Sequence, residues 1–176
     1  MRTALIVIDV QNDYFSTGNY PLWNADKTLT HIELAIANAI NNKVAIIHVQ
    51  HIANPDNGIS PFFNEGSEGV KIHPRILAAA PDAPTVIKRY ADSFHKTNLD
   101  EILQEQDIQE LLICGMMTQN CVTHTAISKA AEKYQVSVLA DCCTTVDQMI
   151  HGIALNGVST RVALKQSLDV FASMQS

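Results

Sequence analysis

Asp9, Lys88 and Cys121 are the residues of this sequence whose types and placement could do covalent hydrolytic chemistry. A free thiol has a pKa of roughly 8.5 and needs activation to react near neutral pH. A carboxylate beside it can accept its proton and later deliver that proton to a leaving group. An ammonium or a helix N-terminus stabilises the thiolate, and the ammonium also keeps the carboxylate ionised and in place. Taken singly, each has a plainer reading. Asp9 could cap a turn, Lys88 could be a solvated charge within Lys88-Arg89-Tyr90, and Cys121 could be a small buried hydrophobe.

The elements that would position them are legible as apolar runs. Ala4-Leu5-Ile6-Val7-Ile8, Val44-Ala45-Ile46-Ile47, Thr85-Val86-Ile87, Leu111-Leu112-Ile113-Cys114 and Val136-Ser137-Val138-Leu139-Ala140 lack polar alternation. Such runs predict strands covered on both faces, as in a parallel sheet. Amphipathic stretches lie between them: Asp26 to Asn41, Leu99 to Leu103 with Asn98 as cap, and the residues after Met117, with Thr118 as cap. A further helix is expected over Gln148 to Leu155, beyond which the pattern weakens. Strands alternating with helices give an α/β domain with a mostly parallel central sheet and right-handed crossovers. Asp9 then ends the first strand, Lys88 ends the third, and Cys121 follows the fourth at a helix opening. The carboxyl ends of strands are where open α/β sheets bind ligands, so the three can converge on one rim.

Residues 53–84 break the alternation. They contain Pro55, Pro61, Pro74, Pro81 and Pro84 with Gly58, Gly66 and Gly69, and read as a long excursion with a short helix near Arg75 to Ala80. Long irregular segments in compact domains are often functional. The 176 residues suit one domain over 1–176, with 47% apolar and 17% charged residues. A net charge of -6 without a Lys/Arg cluster argues against a nucleic-acid partner. No run approaches the ~20 apolar residues of a membrane span. Asp9, Gln11, Asn12 and Asp13 interrupt the first apolar run at once, unlike a signal peptide, so no membrane partner and a cytoplasmic location are expected. Cys114, Cys121, Cys142 and Cys143 show no C-x-x-C spacing, and no disulfide framework is expected.

The order of the pieces is similar to that of the isochorismatase-like hydrolases, a cysteine hydrolase superfamily that includes nicotinamidases, carbamoyl-sarcosine and ureido amidohydrolases, and isochorismatase. The matching pieces are Ala4-Leu5-Ile6-Val7-Ile8-Asp9-Val10-Gln11-Asn12-Asp13-Tyr14-Phe15, Ile87-Lys88, Ser93-Phe94 and Thr97-Asn98-Leu99. Ile113-Cys114-Gly115-Met116-Met117-Thr118-Gln119-Asn120-Cys121-Val122 and Asp141 complete the set, which covers residues 2 to about 150. The resemblance implies a three-layer α/β/α sandwich and a small-molecule substrate. It makes Cys121 the nucleophile, Asp9 the general base and acid, and Lys88 the residue that orients both. It also implies a non-proline cis peptide at Met116-Met117, an oxyanion hole from the amides of Met117 and Cys121, and a homo-oligomer.

The match fails where nicotinamidases carry an Asp-x-His metal motif. Here the chain reads Gln50-His51-Ile52-Ala53, with His51 in the place of the Asp and Ala53 in the place of the His. No metal and no other cofactor is expected, and His48 reads as a core histidine. Phe15, Trp23, Phe62 and Phe94 are candidate substrate-binding residues, with Tyr20 beside them. Arg89 and Arg161 are candidates for carboxylate recognition, and His124 faces either the site or the helix surface. The leading expectation is metal-independent cleavage of a C–N amide or ureido bond. Isochorismatase-type ether hydrolysis and a non-catalytic, redox-sensing thiol remain alternatives.

Overall fold

A computed structural model describes residues 1–175. Six strands, β1 (Thr3–Ile8), β2 (Ala45–His51), β3 (Thr85–Lys88), β4 (Glu110–Met116), β5 (Gln135–Thr144) and β6 (Ala163–Lys165), form one sheet in the order β3-β2-β1-β4-β5-β6. Every pairing is parallel. The helices are α1 (Ala25–Asn41), α2 (Pro74–Ala79), α3 (Leu99–Glu105), α4 (Thr123–Ala126), α5 (Gln148–Val158) and α6 (Ser167–Ser173).

The continuous apolar runs have a simple cause: both faces of the central strands are covered. Along β1, Leu5 and Val7 enter one core while Ala4, Ile6 and Ile8 enter the other. Along β4, Leu112, Cys114 and Met116 alternate in the same way with Leu111 and Ile113. The first core is closed by Leu29, Ile32 and Ile36 of α1, Ile76 of α2, and Val170 and Phe171 of α6. The second is closed by Leu99 and Leu103 of α3, Ala126 of α4 and Val158 of α5. The result is the expected three-layer α/β/α sandwich. Full burial of a side chain such as Ile32 contributes about 1.5–3 kcal/mol.

Three local expectations are corrected. Thr85–Lys88 is an edge strand, so Thr85 and Ile87 are exposed while Val86 and Lys88 point inward. Asn98 does not cap α3 with its side chain; Thr97 Oγ1 accepts from Leu99 N at 3.2 Å. The helix expected after Met117 is broken into a π-helical turn (Thr118–Val122), the single turn of α4, and a 3-10 turn at Lys129–Lys133. Ser128 forces the last break, because its Oγ accepts from Ala130 N and donates to Asp92 Oδ2 at 2.7 Å.

The excursion between β2 and β3 folds back onto the chain that follows β1. Gln11 pairs with Ile72 in an antiparallel bridge. Asn12 N donates to Lys71 O and Asp13 N to Gly69 O. The Asp13 carboxylate accepts from Phe63 N at 2.7 Å and from Asn19 N at 3.0 Å. Gly69 is required there, because a Cβ would lie 2.0 Å from Asp13 Oδ1. Among the described residues no helix is long and apolar enough to cross a membrane.

Candidate active site

In the order β3-β2-β1-β4-β5-β6 the sheet changes direction between β1 and β4, the crevice that parallel sheets offer to ligands. Asp9 leaves β1 with a φ of 53°, its amide still bonded to Val49 O at 3.0 Å. β4 runs beside it, and its pairing with β5 slips between Ile113 and Gly115. Such an irregularity re-aims the end of a strand. Gly115 has φ 121°, and a Cβ there would meet Ile8 O at 2.0 Å, so only glycine lets the two strands approach this closely. The Met116-Met117 peptide is cis. The chain then turns through Thr118–Val122, which carries Cys121.

Lys88, at the end of β3, supplies the centre of the group. Its Nζ lies 2.9 Å from Asp9 Oδ2 and 3.1 Å from Cys121 Sγ. It also lies 2.8 Å from His51 Nδ1 and 3.0 Å from Tyr90 O. The Lys88 and Asp9 side chains are wholly buried, and Cys121 is 2% exposed. Thus four acceptors surround an ammonium with three N–H bonds. Neither Asp9 oxygen accepts a well-aligned hydrogen bond among the described residues, although one lies at ion-pair distance from Lys88. The carboxylate therefore retains room to accept a proton.

The electrostatics define the resting state. Burial pushes the Cys121 thiol well above its ordinary range, and the Asp9 charge pushes it further; Lys88 pulls in the opposite direction without winning. Burial acts against the Lys88 ammonium, but the attractions of Asp9 and Cys121 outweigh it, and the net shift is upward. The resting group is a neutral thiol beside an ammonium. The helix-terminus activation expected for Cys121 is replaced by the π-helical turn and the single turn of α4.

Two neighbours complete the site that the spacing of motifs did not reveal. His51 is the register partner of Lys88 across β2 and β3, which is the signal that could have found it. Its pKa falls to about 4, first through burial and then through the Lys88 charge. Tyr14, in the 3-10 turn Asn12–Tyr14, is 1% exposed and packs on Phe63 at 4.6 Å. Its phenol is driven upward by burial, then by the charges of Asp9 and Cys121, so it stays protonated.

The other named residues fall in several places. Phe62 touches Tyr14 and Tyr20, and Phe15 packs on the ring of His73 at 4.5 Å. Trp23 lies over His151, whose Nδ1 meets Thr118 Oγ1 at 2.8 Å. Phe94 is buried in the second core and stacks on Tyr134 at 6.3 Å. Arg89 is engaged by Ala53 O and Glu65. Arg161 lines a separate surface hollow with Glu132 and Val162. His124 is on the exposed side of its turn, bonded to Asn120 O. Asp141 holds Ser167 at the start of α6, and His48 is buried in β2 and bonded to Ala80 O.

A resident metal does not fit these residues. Among the described residues, the one group of potential ligands is Asp9, His51 and Cys121, with ligand atoms within 4.8 Å of one another. Lys88 Nζ lies within 3.1 Å of all three, so the position a cation would take already holds an ammonium. A broad cleft of about 920 Å³ lined by Met1, Arg2, Val44 and Glu110 is at the amino ends of the strands, away from this chemistry.

Comparison with known proteins agrees with the geometry. The chain is 35% identical over 150 residues to the uncharacterized isochorismatase family protein YddQ of Bacillus subtilis, covering 85% of this chain and 82% of that protein. It is 26% identical over 178 residues to the nicotinamidase of Escherichia coli, covering 82% and 84%. The crystal structure of an isochorismatase-like hydrolase from Alkaliphilus metalliredigens superposes with a TM-score of 0.88 at 22% identity, covering 98% of this chain and 99% of that one. The model of the isochorismatase domain matches residues 3–168, and the chain therefore belongs to the isochorismatase family.

Proposed function

We propose that this protein is a metal-independent cysteine amidohydrolase that cleaves a C–N amide or ureido bond of a small molecule. The observation that carries the reading is the buried contact of Lys88 Nζ with Asp9 Oδ2 and Cys121 Sγ at 2.9 and 3.1 Å. Kinship with a nicotinamidase, an amide hydrolase by name, supports the bond type.

Asp9 accepts the Cys121 proton as Sγ attacks the carbonyl carbon, so the high pKa of the resting thiol calls for a base at the moment of attack. The new C–S bond gives a tetrahedral oxyanion, which we assign to the backbone amides of Met117 and Cys121. Collapse breaks the C–N bond, and protonated Asp9 delivers its proton to the departing nitrogen. Water then attacks the acyl-cysteine as Asp9 takes its proton, the C–S bond breaks, Asp9 returns the proton to the departing sulfur, and the product acid leaves with Cys121 and Asp9 restored. Lys88 pairs with the Asp9 carboxylate and faces the sulfur as it gains negative charge.

Phe62, Phe15, Trp23 and Phe94 are proposed to bound the substrate, and Tyr14, whose ring packs on Phe62 and Phe63, is proposed with them. A redox sensor is the weaker reading, since sensing favours an exposed thiol of lowered pKa, and this one is buried with its pKa raised. Ether hydrolysis without a nucleophilic thiol leaves the Cys121–Lys88 contact unexplained. A homo-oligomer is also proposed: α5 has no charged residue and exposes Met149 and Ile153 one turn apart.

The test is ammonia release from a panel of small amides, carbamoyl and ureido compounds, with Cys121→Ala protein as control. Release by the native protein alone supports the reading. Silence across the panel, or equal release by the variant, overturns it.

A further inference from the structure

The Lys88 ammonium has more acceptors than protons to give, and that imbalance singles out His51. Lysine has no acceptor atom, so at the 2.8 Å contact His51 Nδ1 must accept and the imidazole must carry its proton on Nε2. Tyr90 O takes a second N–H at 3.0 Å. One N–H is then left between Asp9 Oδ2 and Cys121 Sγ, the two groups that exchange a proton in the reaction proposed above.

We infer that His51 is a positioning residue: by holding one N–H of Lys88, it aims the remaining N–H at the Asp9–Cys121 pair. The register makes this specific. His51 and Lys88 are paired across β2 and β3, which places both side chains over the same rim. Gln11 fixes the backbone beneath, its Oε1 accepting from His51 N and its Nε2 donating to His51 O, both at 2.8 Å. Without an acceptor at His51, the ammonium can turn about its last bonds and share its protons among three partners instead of four. Asp9 Oδ2 and Cys121 Sγ can then each take an N–H of their own instead of sharing one.

The inference rests on the amidohydrolase reading for its kinetic meaning, but its test need not use turnover. Asn places an amide oxygen near the position of Nδ1 and preserves the acceptor; Leu and Ala remove it. Alkylation of Cys121 by iodoacetamide, followed by mass spectrometry from pH 6 to 10, is compared in native protein and in His51→Asn, His51→Leu and His51→Ala. Cys121→Ala corrects for the other thiols, and thermal melting confirms that each variant is folded. His51→Asn is expected to follow the native pH profile. His51→Leu, or His51→Ala where Leu does not fold, is expected to react about tenfold faster at each pH of that range, because an N–H given wholly to the sulfur favours its thiolate. In turnover on any amide of the panel, the same variants lose kcat with little change in KM.

A folded His51→Leu or His51→Ala with the native profile overturns the inference. So does a His51→Asn whose profile departs from the native one as far as the apolar variants do, which would mark His51 as mere filling. Silence of the native protein on the amide panel sinks the amidohydrolase reading while leaving the alkylation result to decide the role of His51.

Discussion

The side chains of Lys88 and Asp9 meet at 2.9 Å with no exposed surface on either. Removing two charges from water is costly, and such a pair is weak evidence for stability unless further hydrogen bonds surround it. Here Lys88 has those bonds and Asp9 lacks them. The pair places a buried carboxylate close to the Cys121 thiol at a cost in folding free energy.

Lys88→Met should therefore strand a buried carboxylate. We expect a loss of about 3–5 kcal/mol in urea denaturation, together with loss of turnover. The double variant Asp9→Leu with Lys88→Met should recover most of the stability and none of the activity. A single variant as stable as the native protein would contradict the ion-pair account.

Gly115→Ala addresses the approach of β1 and β4. Its Cβ would sit 2.0 Å from Ile8 O in a backbone region that side chains disfavour. Backbone cannot yield as a flexible side chain can, so a loss above about 4 kcal/mol is expected, or failure to fold. Gly152→Ala on α5, where nothing lies within 4 Å, should be neutral or stabilising in the same melting experiment.

The histidines predict how stability responds to acid. In the folded chain His51 has a pKa of about 4, through burial and the Lys88 charge with a smaller contribution from Arg89, against the opposing pull of Asp9. The unfolded chain takes up that proton near pH 6.5, so it binds more protons than the folded chain between about 6.5 and 4. The associated stability is complete above the unfolded value and is lost as pH falls toward 4. His48, lowered by burial, acts in the same direction. From pH 7 to pH 5, His51 alone should account for a loss of about 1–2 kcal/mol. His51→Asn should show a correspondingly flatter curve; parallel curves would refute the assignment.

Asp13 should control the excursion. Its carboxylate, 1% exposed, accepts from Phe63 N and Asn19 N. Asp13→Ala leaves both amides without that acceptor, at a cost of about 2–3 kcal/mol. Limited proteolysis within residues 53–70 should accelerate, and KM should rise more than kcat falls. Unchanged cleavage would show that the segment is held by other means.

Asp9, Lys88 and Cys121 were legible because two of them sit at the carboxyl ends of strands and the third follows one, and apolar runs announce strands in sequence. His51 obeys the same rule at the end of β2, but a lone histidine measured against a metal motif looks like a missing ligand. Only the pairing of β2 with β3 turns it toward Lys88. Tyr14 was hidden for a related reason: the 3-10 turn after Gln11 sends Tyr14 onto Phe62 and Phe63 and Phe15 onto His73, and spacing cannot choose between the two aromatics. The helix after Met117 failed because its apolar period was genuine while Ser128 and Asp92, distant in sequence, interrupted the backbone. β6 is three residues long on an outer edge, too short to show a period.

Gln11 has a wider consequence. Its single amide accepts from His51 N and donates to both His51 O and Val70 O, tying the end of β2 to the far side of the excursion. The intervening residues hang from that clasp as a removable cassette, while Asp9, Lys88 and Cys121 belong to the frame. A foreign segment spliced between positions 53 and 69 is expected to change selectivity and leave the proposed proton relay in place, provided the clasp closes around it.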